Sequence, residues 1–212
     1  MTLNTHSHRL RRWLMLLTGS LILGLLLSAC DIFGNSGSAT PTPTKAANTG
    51  TTALTTYTGD GYTIGYPQGW TAKDHGKGPT NTGKSVILTD STGLATLTIN
   101  EVENPYGSAP TSLLLDATVA AFKIGTSNYQ EAQIAAQTTV GGQSWDQRSG
   151  TADVTVQGTK GNVKFVALGA NYPAHTKQTR LYTILYAAPT LAFDTFNASA
   201  FQPMLQSFTF TA

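Results

Sequence analysis

The chain has 212 residues and a formal net charge of +2, with 11% of its residues charged, against roughly 25% in an average soluble domain. Its single cysteine excludes an internal disulfide framework and any multi-cysteine zinc or iron–sulfur site. Sparse charge with abundant Gly, Ser and Thr excludes a coiled coil, and the length fits one domain with an appendage.

In chain order, residues 1–12 are polar and basic, and Trp13–Leu27 is apolar except for Thr18, Gly19 and Ser20. A basic stretch followed by about 15 apolar residues has the proportions of a signal peptide. It falls short of the about 20 that a spanning helix needs. Arg11-Arg12 ahead of Trp13-Leu14 reads either as part of an ordinary basic leader or as a weak twin-Arg export signal. The apolar run ends in Leu27-Ser28-Ala29-Cys30. This stretch resembles the bacterial lipobox, Leu-(Ala/Ser)-(Gly/Ala)-Cys. The resemblance implies that residues 1–29 are removed and that the Cys30 thiol carries a diacylglycerol. Two acyl chains on one residue give stable membrane anchoring, where one would be marginal. The alternatives are a signal peptide without lipidation and an uncleaved anchor. Asp31 resembles the inner-membrane retention signal of diderm bacteria and carries no message in a monoderm.

Removal of Arg9, Arg11 and Arg12 with the leader leaves ten basic and eleven acidic residues. The mature chain is then close to neutral, and no basic patch remains for a nucleic-acid backbone. Residues 30–56 are mostly Gly, Ser, Thr, Ala, Asn and Pro, including Ala39-Thr40-Pro41-Thr42-Pro43-Thr44. Nothing in that stretch buries a core, so it reads as a disordered tether. Its r.m.s. span as a flexible coil is roughly 25–30 Å.

Residues 57–212 are long enough for one domain with a core. Tyr62, Ile64 and Tyr66 alternate with small or polar residues as in a half-buried strand, and Pro67 and Gly69 mark a turn before Trp70. Val86–Thr89 is a short apolar strand, and Leu97, Ile99 and Glu101 define the next, ended by Asn104-Pro105. Thr111 or Ser112 is placed to cap a helix with Leu115, Val119 and Phe122 on its inner face and Gly125 at its end. Tyr129–Thr139, Gln143–Val156, Val163–Tyr172 and Gln178–Ala187 follow as strands separated by turn signals, among them Gly141-Gly142 and Gly158–Asn162. Phe193, Phe196, Phe201, Met204 and Leu205 keep a helical spacing, and Pro203 predicts a break near Asn197–Ala200. Phe208 and Phe210 alternate in a closing strand. The expected class is α+β, an antiparallel sheet flanked by helices.

Tyr62-Thr63-Ile64-Gly65-Tyr66-Pro67-Gln68-Gly69-Trp70, the strand end Glu101–Pro105, Val140-Gly141-Gly142 and the run from Leu181–Pro189 to Ser207-Phe208 together resemble the PsbP-like family. That family is named for an extrinsic subunit of the photosynthetic oxygen-evolving complex. The resemblance spans most of residues 57–212 and implies an α/β/α sandwich. Its residues are folding residues, so it implies no reaction. No photosystem-specific feature accompanies it, and the photosynthetic role does not carry over.

Gly78-Pro79-Thr80-Asn81-Thr82-Gly83-Lys84-Ser85 fits the spelling of a phosphate-binding P-loop. That loop works when a buried strand feeds the first Gly and a helix begins at the Lys. Here Lys73–Lys77 is polar and loop-like, and Val86-Ile87-Leu88 is β-branched and short, so a plain loop is expected. For a metal, only His75 and His175 remain in the mature chain. Asp74-His75 and the pair Glu101 and Glu103 read as solvated loop and edge residues. No nucleophile elbow is present, and Asp90, Glu101, Asp146 and Asp153 have no spacing that marks a catalytic pair. Tyr106, Trp145 and Tyr172 lie near predicted turns or strand ends, where exposed aromatics anchor interfaces.

The sequence thus reads as an extracytoplasmic lipoprotein on the cell membrane, acting as a non-enzymatic protein-binding or scaffolding module without cofactor or metal. The alternative is a carrier of a small apolar ligand or lipid, in a cavity lined by Leu115, Val119, Phe122 and Phe201. An enzyme acting on envelope polymer ranks third.

Overall fold

The computed structural model describes residues 53–77, 83–156 and 159–211. The leader, Cys30 and nearly all of the expected tether lie outside them, as do Gly78–Thr82 of the P-loop spelling. Strand β1 (Leu54–Thr58) pairs antiparallel with β2 (Tyr62–Pro67), so Leu54–Thr56, expected in the tether, belong to the folded domain. The closing strand β11 (Thr209–Phe210) adds to the other edge of β2.

The larger sheet is antiparallel. Its strands are β3 (Thr71–Lys77), β4 (Gly83–Thr89), β5 (Thr96–Glu103), β6 (Ser127–Glu131), β7 (Gln137–Val140), β8 (Gln143–Val156), β9 (Thr159–Tyr172) and β10 (Arg180–Pro189). They run in the order β3-β4-β5-β10-β9-β8-β6, with β7 also paired to β8. The expected strand Tyr129–Thr139 is therefore two short strands, which pair with different stretches of β8. Strand β3 corrects the loop reading of Lys73–Lys77. It is an edge strand exposed along its described side chains, so it lacks the apolar alternation that reveals a half-buried strand.

Period-two alternation gives the larger sheet two apolar faces. On β9 and β10, Val166, Leu168, Ala170, Tyr182, Ile184 and Tyr186 join the main core, while Phe165, Ala167 and Leu185 join a second one. The second core is covered by α1 (Thr111–Gly125) through Leu115, Val119 and Phe122, the three inner-face residues read from the sequence. The main core is covered by the small sheet, by α2 (Thr190–Phe196) and by α3 (Gln202–Ser207), through Ile64, Phe193, Phe201, Met204 and Phe208. Helices thus lie on both faces of an antiparallel sheet, and the class is α+β.

Two local expectations are corrected. Thr111 does not cap α1. The N-cap position is Pro110, and the Thr111 hydroxyl donates to Asp146 on β8, tying the helix start to the sheet. No break occurs before Pro203. Asn197–Phe201 forms a π-helical turn that joins α2 to α3 and absorbs the proline at the start of α3.

The side chains assigned to a ligand cavity are packed. Phe122 stacks on Phe165 at 4.3 Å, and Phe201 is fully buried with Tyr186 at 4.8 Å. They fill the layers between helices and sheet.

Candidate functional site

The β1–β2 hairpin turns through Gly59-Asp60-Gly61, held by the Gly59 N–H donating to the Tyr62 carbonyl at 2.9 Å. Gly61 sits at φ +81°, and a Cβ there would lie 2.5 Å from the Tyr182 hydroxyl. Only glycine lets the turn lie this close to β10. Gly61→Ala is expected to destabilise the fold by about 1–2 kcal/mol, from left-handed strain and the displaced turn. Urea unfolding at neutral pH measures it.

The turn delivers the Asp60 carboxylate to two cations. Its Oδ2 is 2.7 Å from Lys84 Nζ on β4, and its Oδ1 is 3.1 Å from Arg180 on β10. Arg180 also donates to Glu101 Oε1 on β5, between those two strands. The network crosses three adjacent strands and fastens the small sheet to the large one. Tyr62 and Tyr182 wall it, their rings 6.1 Å apart edge-to-face. Tyr57 stands beside them and donates its hydroxyl to Asp74 of β3 at 2.6 Å.

Glu101 is only 5% exposed, and its Oε2 is buried without a partner among the described residues. This corrects the solvated reading: Glu101 faces the core side of β5, in the row shared by Lys84 and Tyr182. Burial raises its pKa; the Arg180 charge opposes that rise and the Asp60 charge adds to it. Asp60 moves the other way, lowered by its hydrogen bonds with Lys84 and then Arg180. One guanidinium thus faces two carboxylates whose pKa values are pushed apart, Asp60 down and Glu101 up. Burial, then the nearby Glu101 charge, pushes Tyr182 up to about 12.

A cleft of about 510 Å³ opens beside this network, lined by Tyr57, Thr58, Gly59, Asp60, Asp74, Gly76 and Lys84. It presents the Lys84 ammonium and an Asp74 carboxylate to solvent. Lys84 and Ser85 lie within β4, so the helix that a P-loop needs at its Lys is replaced by a strand. No three His, Cys, Asp or Glu side chains gather for a metal ion among the described residues.

The aromatic candidates part company. Tyr106 is 63% exposed on a 3-10 turn, Pro105–Gly107, and its N–H donates to Thr176 O at 2.6 Å. Trp145 is fully buried and offers no partner a surface, which corrects its assignment. Its indole N–H donates to Val140 O at 3.0 Å, and its ring stacks on Phe210 at 5.9 Å. Tyr172 is half-buried, stacked on the same Phe210 at 4.0 Å. Trp145 and Tyr172 therefore flank one aromatic stack, and Tyr106 alone of the three projects into solvent.

Sequence reasoning missed Asp60, Arg180 and Tyr57. The signals available were the Asp-Gly turn spelling of Asp60-Gly61 and the rarity of arginine after the leader, where only Arg148 and Arg180 occur. No helix among the described residues is long and apolar enough to cross a membrane.

No family model and no curated protein matches the chain. Among solved structures it is similar to one described as LpqN involved in cell envelope biogenesis of Mycobacterium tuberculosis. Identity is 12% and the TM-score 0.38, over 81% of this chain and 90% of that one. A likeness of that degree carries no functional weight.

Proposed function

We propose that this chain is a lipid-anchored, extracytoplasmic module that binds or scaffolds other envelope proteins without catalysing a reaction. Leu27-Ser28-Ala29-Cys30 supports the anchor. The observation that carries the non-catalytic part is what the four carboxylates considered for chemistry hold. Asp90 accepts the N–H groups of Thr92 and Ala95 and shapes a β-turn. Asp146 accepts from Thr111 and Gln137. Asp153 accepts from Asn128 and Asn162, and Glu101 is bound to Arg180. Each one secures a turn or a junction between elements. The PsbP-like resemblance belongs to the same reading, because a sheet with helices on both faces is the architecture it implies. A carrier of apolar ligands would need Leu115, Val119 and Phe122 to part from Phe165 around its cargo.

Three measurements test the proposal. Intact mass of the mature chain from its own membrane is expected to show a first residue Cys30 bearing diacylglycerol. Cys30→Ser is expected to abolish that mass and the membrane attachment. An unmodified Cys30, or a full-length chain keeping residues 1–29, overturns the anchor. Native mass spectrometry of the gently extracted lipoprotein is expected to show a reproducible protein companion. Substrate turnover that Glu101→Gln abolishes in a folded variant overturns the non-catalytic reading.

A further inference from the structure

Helix α1 is apolar on two opposite faces. At about 100° per residue, Leu115, Val119 and Phe122 point to the sheet, while Leu113, Ala117, Ala120 and Ile124 fall within a sector of roughly 60° on the opposite side. Leu113 is 45% and Ile124 87% exposed. A helix apolar all round is ordinarily covered on both sides. The described elements cover only the inner face of this one.

We infer that the outer face of α1 docks on the same face of a second copy of this chain, as an antiparallel helix pair about a twofold axis. Three features point to a second copy. The stripe is palindromic in spacing. An axis between residues 118 and 119 sets Leu113 against the partner's Ile124 and Ala117 against the partner's Ala120. The two alanines lie at the centre, where backbones approach closest, and the large residues lie at the ends. The flanking charges are also complementary under that operation. Asp116 and Lys123 share one flank of α1, and an antiparallel twofold brings equal flanks together. Asp116 then lies two residues, about 3 Å of helix rise, from the partner's Lys123. Both groups are available. The Asp116 side chain is 68% exposed, with only a distant contact to Arg148 at 3.9 Å. Lys123 is exposed, its ammonium 4.7 Å from the Tyr129 ring centroid, and forms no salt bridge among the described residues.

The third feature is the polar inventory of α1, which is Thr111, Ser112, Asp116, Thr118 and Lys123, one acid and one base. A helix that lies on lipid carries a polar face rich in Lys and Arg, so charge favours a second copy over the bilayer. A helix about 22 Å long buries less than the roughly 1,200 Å² of a stable interface. The pairing is therefore weak and reversible in solution. Confinement of both copies to one membrane would strengthen it through local concentration, though the contact itself does not depend on the proposed anchor.

Sedimentation equilibrium of the full chain in mild detergent, from micromolar to millimolar protein, tests this. The wild type is expected to show a concentration-dependent monomer–dimer equilibrium. Asp116→Lys and Lys123→Asp are each expected to weaken it about five- to tenfold, because two symmetry-related pairs become repulsive. The double variant is expected to recover the wild-type constant, a result that a merely structural role for either charge would not give. Ile124→Glu is expected to abolish association. Its exposure keeps the fold intact, as urea unfolding would confirm. A wild type that stays monomeric throughout overturns the inference, and so does a dimer indifferent to these changes or one not restored by the double exchange. Loss of binding to phosphatidylcholine vesicles in Ile124→Glu, with the dimer constant unchanged, would assign the stripe to lipid and overturn it equally.

Discussion

Replacement of Trp145 by alanine is expected to destabilise the domain by about 3–5 kcal/mol, the range for removing a large buried aromatic. The indole is fully buried at the meeting point of the large sheet and the chain's last strand. Phe208 packs edge-to-face at 5.5 Å and Phe210 stacks at 5.9 Å. Through Phe208 the contacts continue to Tyr62, stacked at 5.4 Å, and so to the small sheet. Its removal therefore opens a cavity where the terminal strand is held and loosens β11 together with β2. Trp145→Phe is expected to cost about 1–2 kcal/mol, since Val140 O loses its donor while most of the apolar contact survives. Urea or thermal unfolding separates the cases. A Trp145→Ala variant within about 0.5 kcal/mol of the wild type, as expected of an exposed position, would restore the interface role that the sequence assigned to this residue.

That residue also shows where the sequence is legible. Alternation located β2 and β5, and the three-and-four spacing of Leu115, Val119 and Phe122 located the inner face of α1, because one side of each element is buried and the period survives in the letters. The paired glycines Gly141-Gly142 marked a tight turn between β7 and β8, and both take positive φ. Contacts made with distant parts of the chain leave no such trace. Trp145 lies just past the Gly141-Gly142 turn signal, near a strand end, where exposed aromatics anchor interfaces. Its environment is fixed by Phe208 and Phe210, more than sixty positions later. Strand β3 failed for another reason, since neither of its sides is buried among the described side chains. The π-helical turn at Asn197–Phe201 escaped because Pro203 reads as a helix breaker, whereas the wide turn carries the chain through it and leaves the proline in the first turn of α3.

The charged network was the least legible part. Asp60, Lys84, Glu101 and Arg180 come from four elements, and Arg180 follows Glu101 by 79 positions. Each charge read by itself is a solvated residue, the ordinary fate of carboxylates and lysines. Their meeting is a product of strand order. Strand β10 enters the sheet beside β5, which puts Arg180 next to Glu101, and the small sheet then lays Asp60 across both.

That dependence makes Arg180 the residue whose loss changes the pH behaviour of the fold most. Arg180→Met is expected to cost on the order of 3 kcal/mol at neutral pH, because the Glu101 carboxylate keeps its burial and loses its only described partner. The lower end of the usual range applies, since the Arg180 side chain is 30% exposed and water screens part of the loss. The sign with pH follows from the two carboxylates. Glu101 has its folded pKa raised above the ordinary 4.5 by burial. The folded state therefore binds more protons than the unfolded one, and stability falls as pH rises through the folded value. Removing the opposing Arg180 charge raises that value further and steepens the fall toward neutrality. Asp60 has its pKa lowered, so its contribution is present above the ordinary carboxylate range and lost as pH falls through the folded value. At about pH 4, below the ordinary 4.5, Glu101 is protonated in the variant and its share of the deficit disappears, while Asp60, its pKa lowered, is still ionised and keeps its share, so the deficit shrinks without vanishing. Urea unfolding at about pH 4 and pH 7.5 is expected to show the larger gap at the higher pH. Adding Glu101→Gln to Arg180→Met is expected to recover most of the gap at neutral pH, since the buried charge is then gone. A deficit equal at both pH values, or one untouched by the second substitution, would mean that Arg180 acts through its packing and that Glu101 is neutral in the folded chain already.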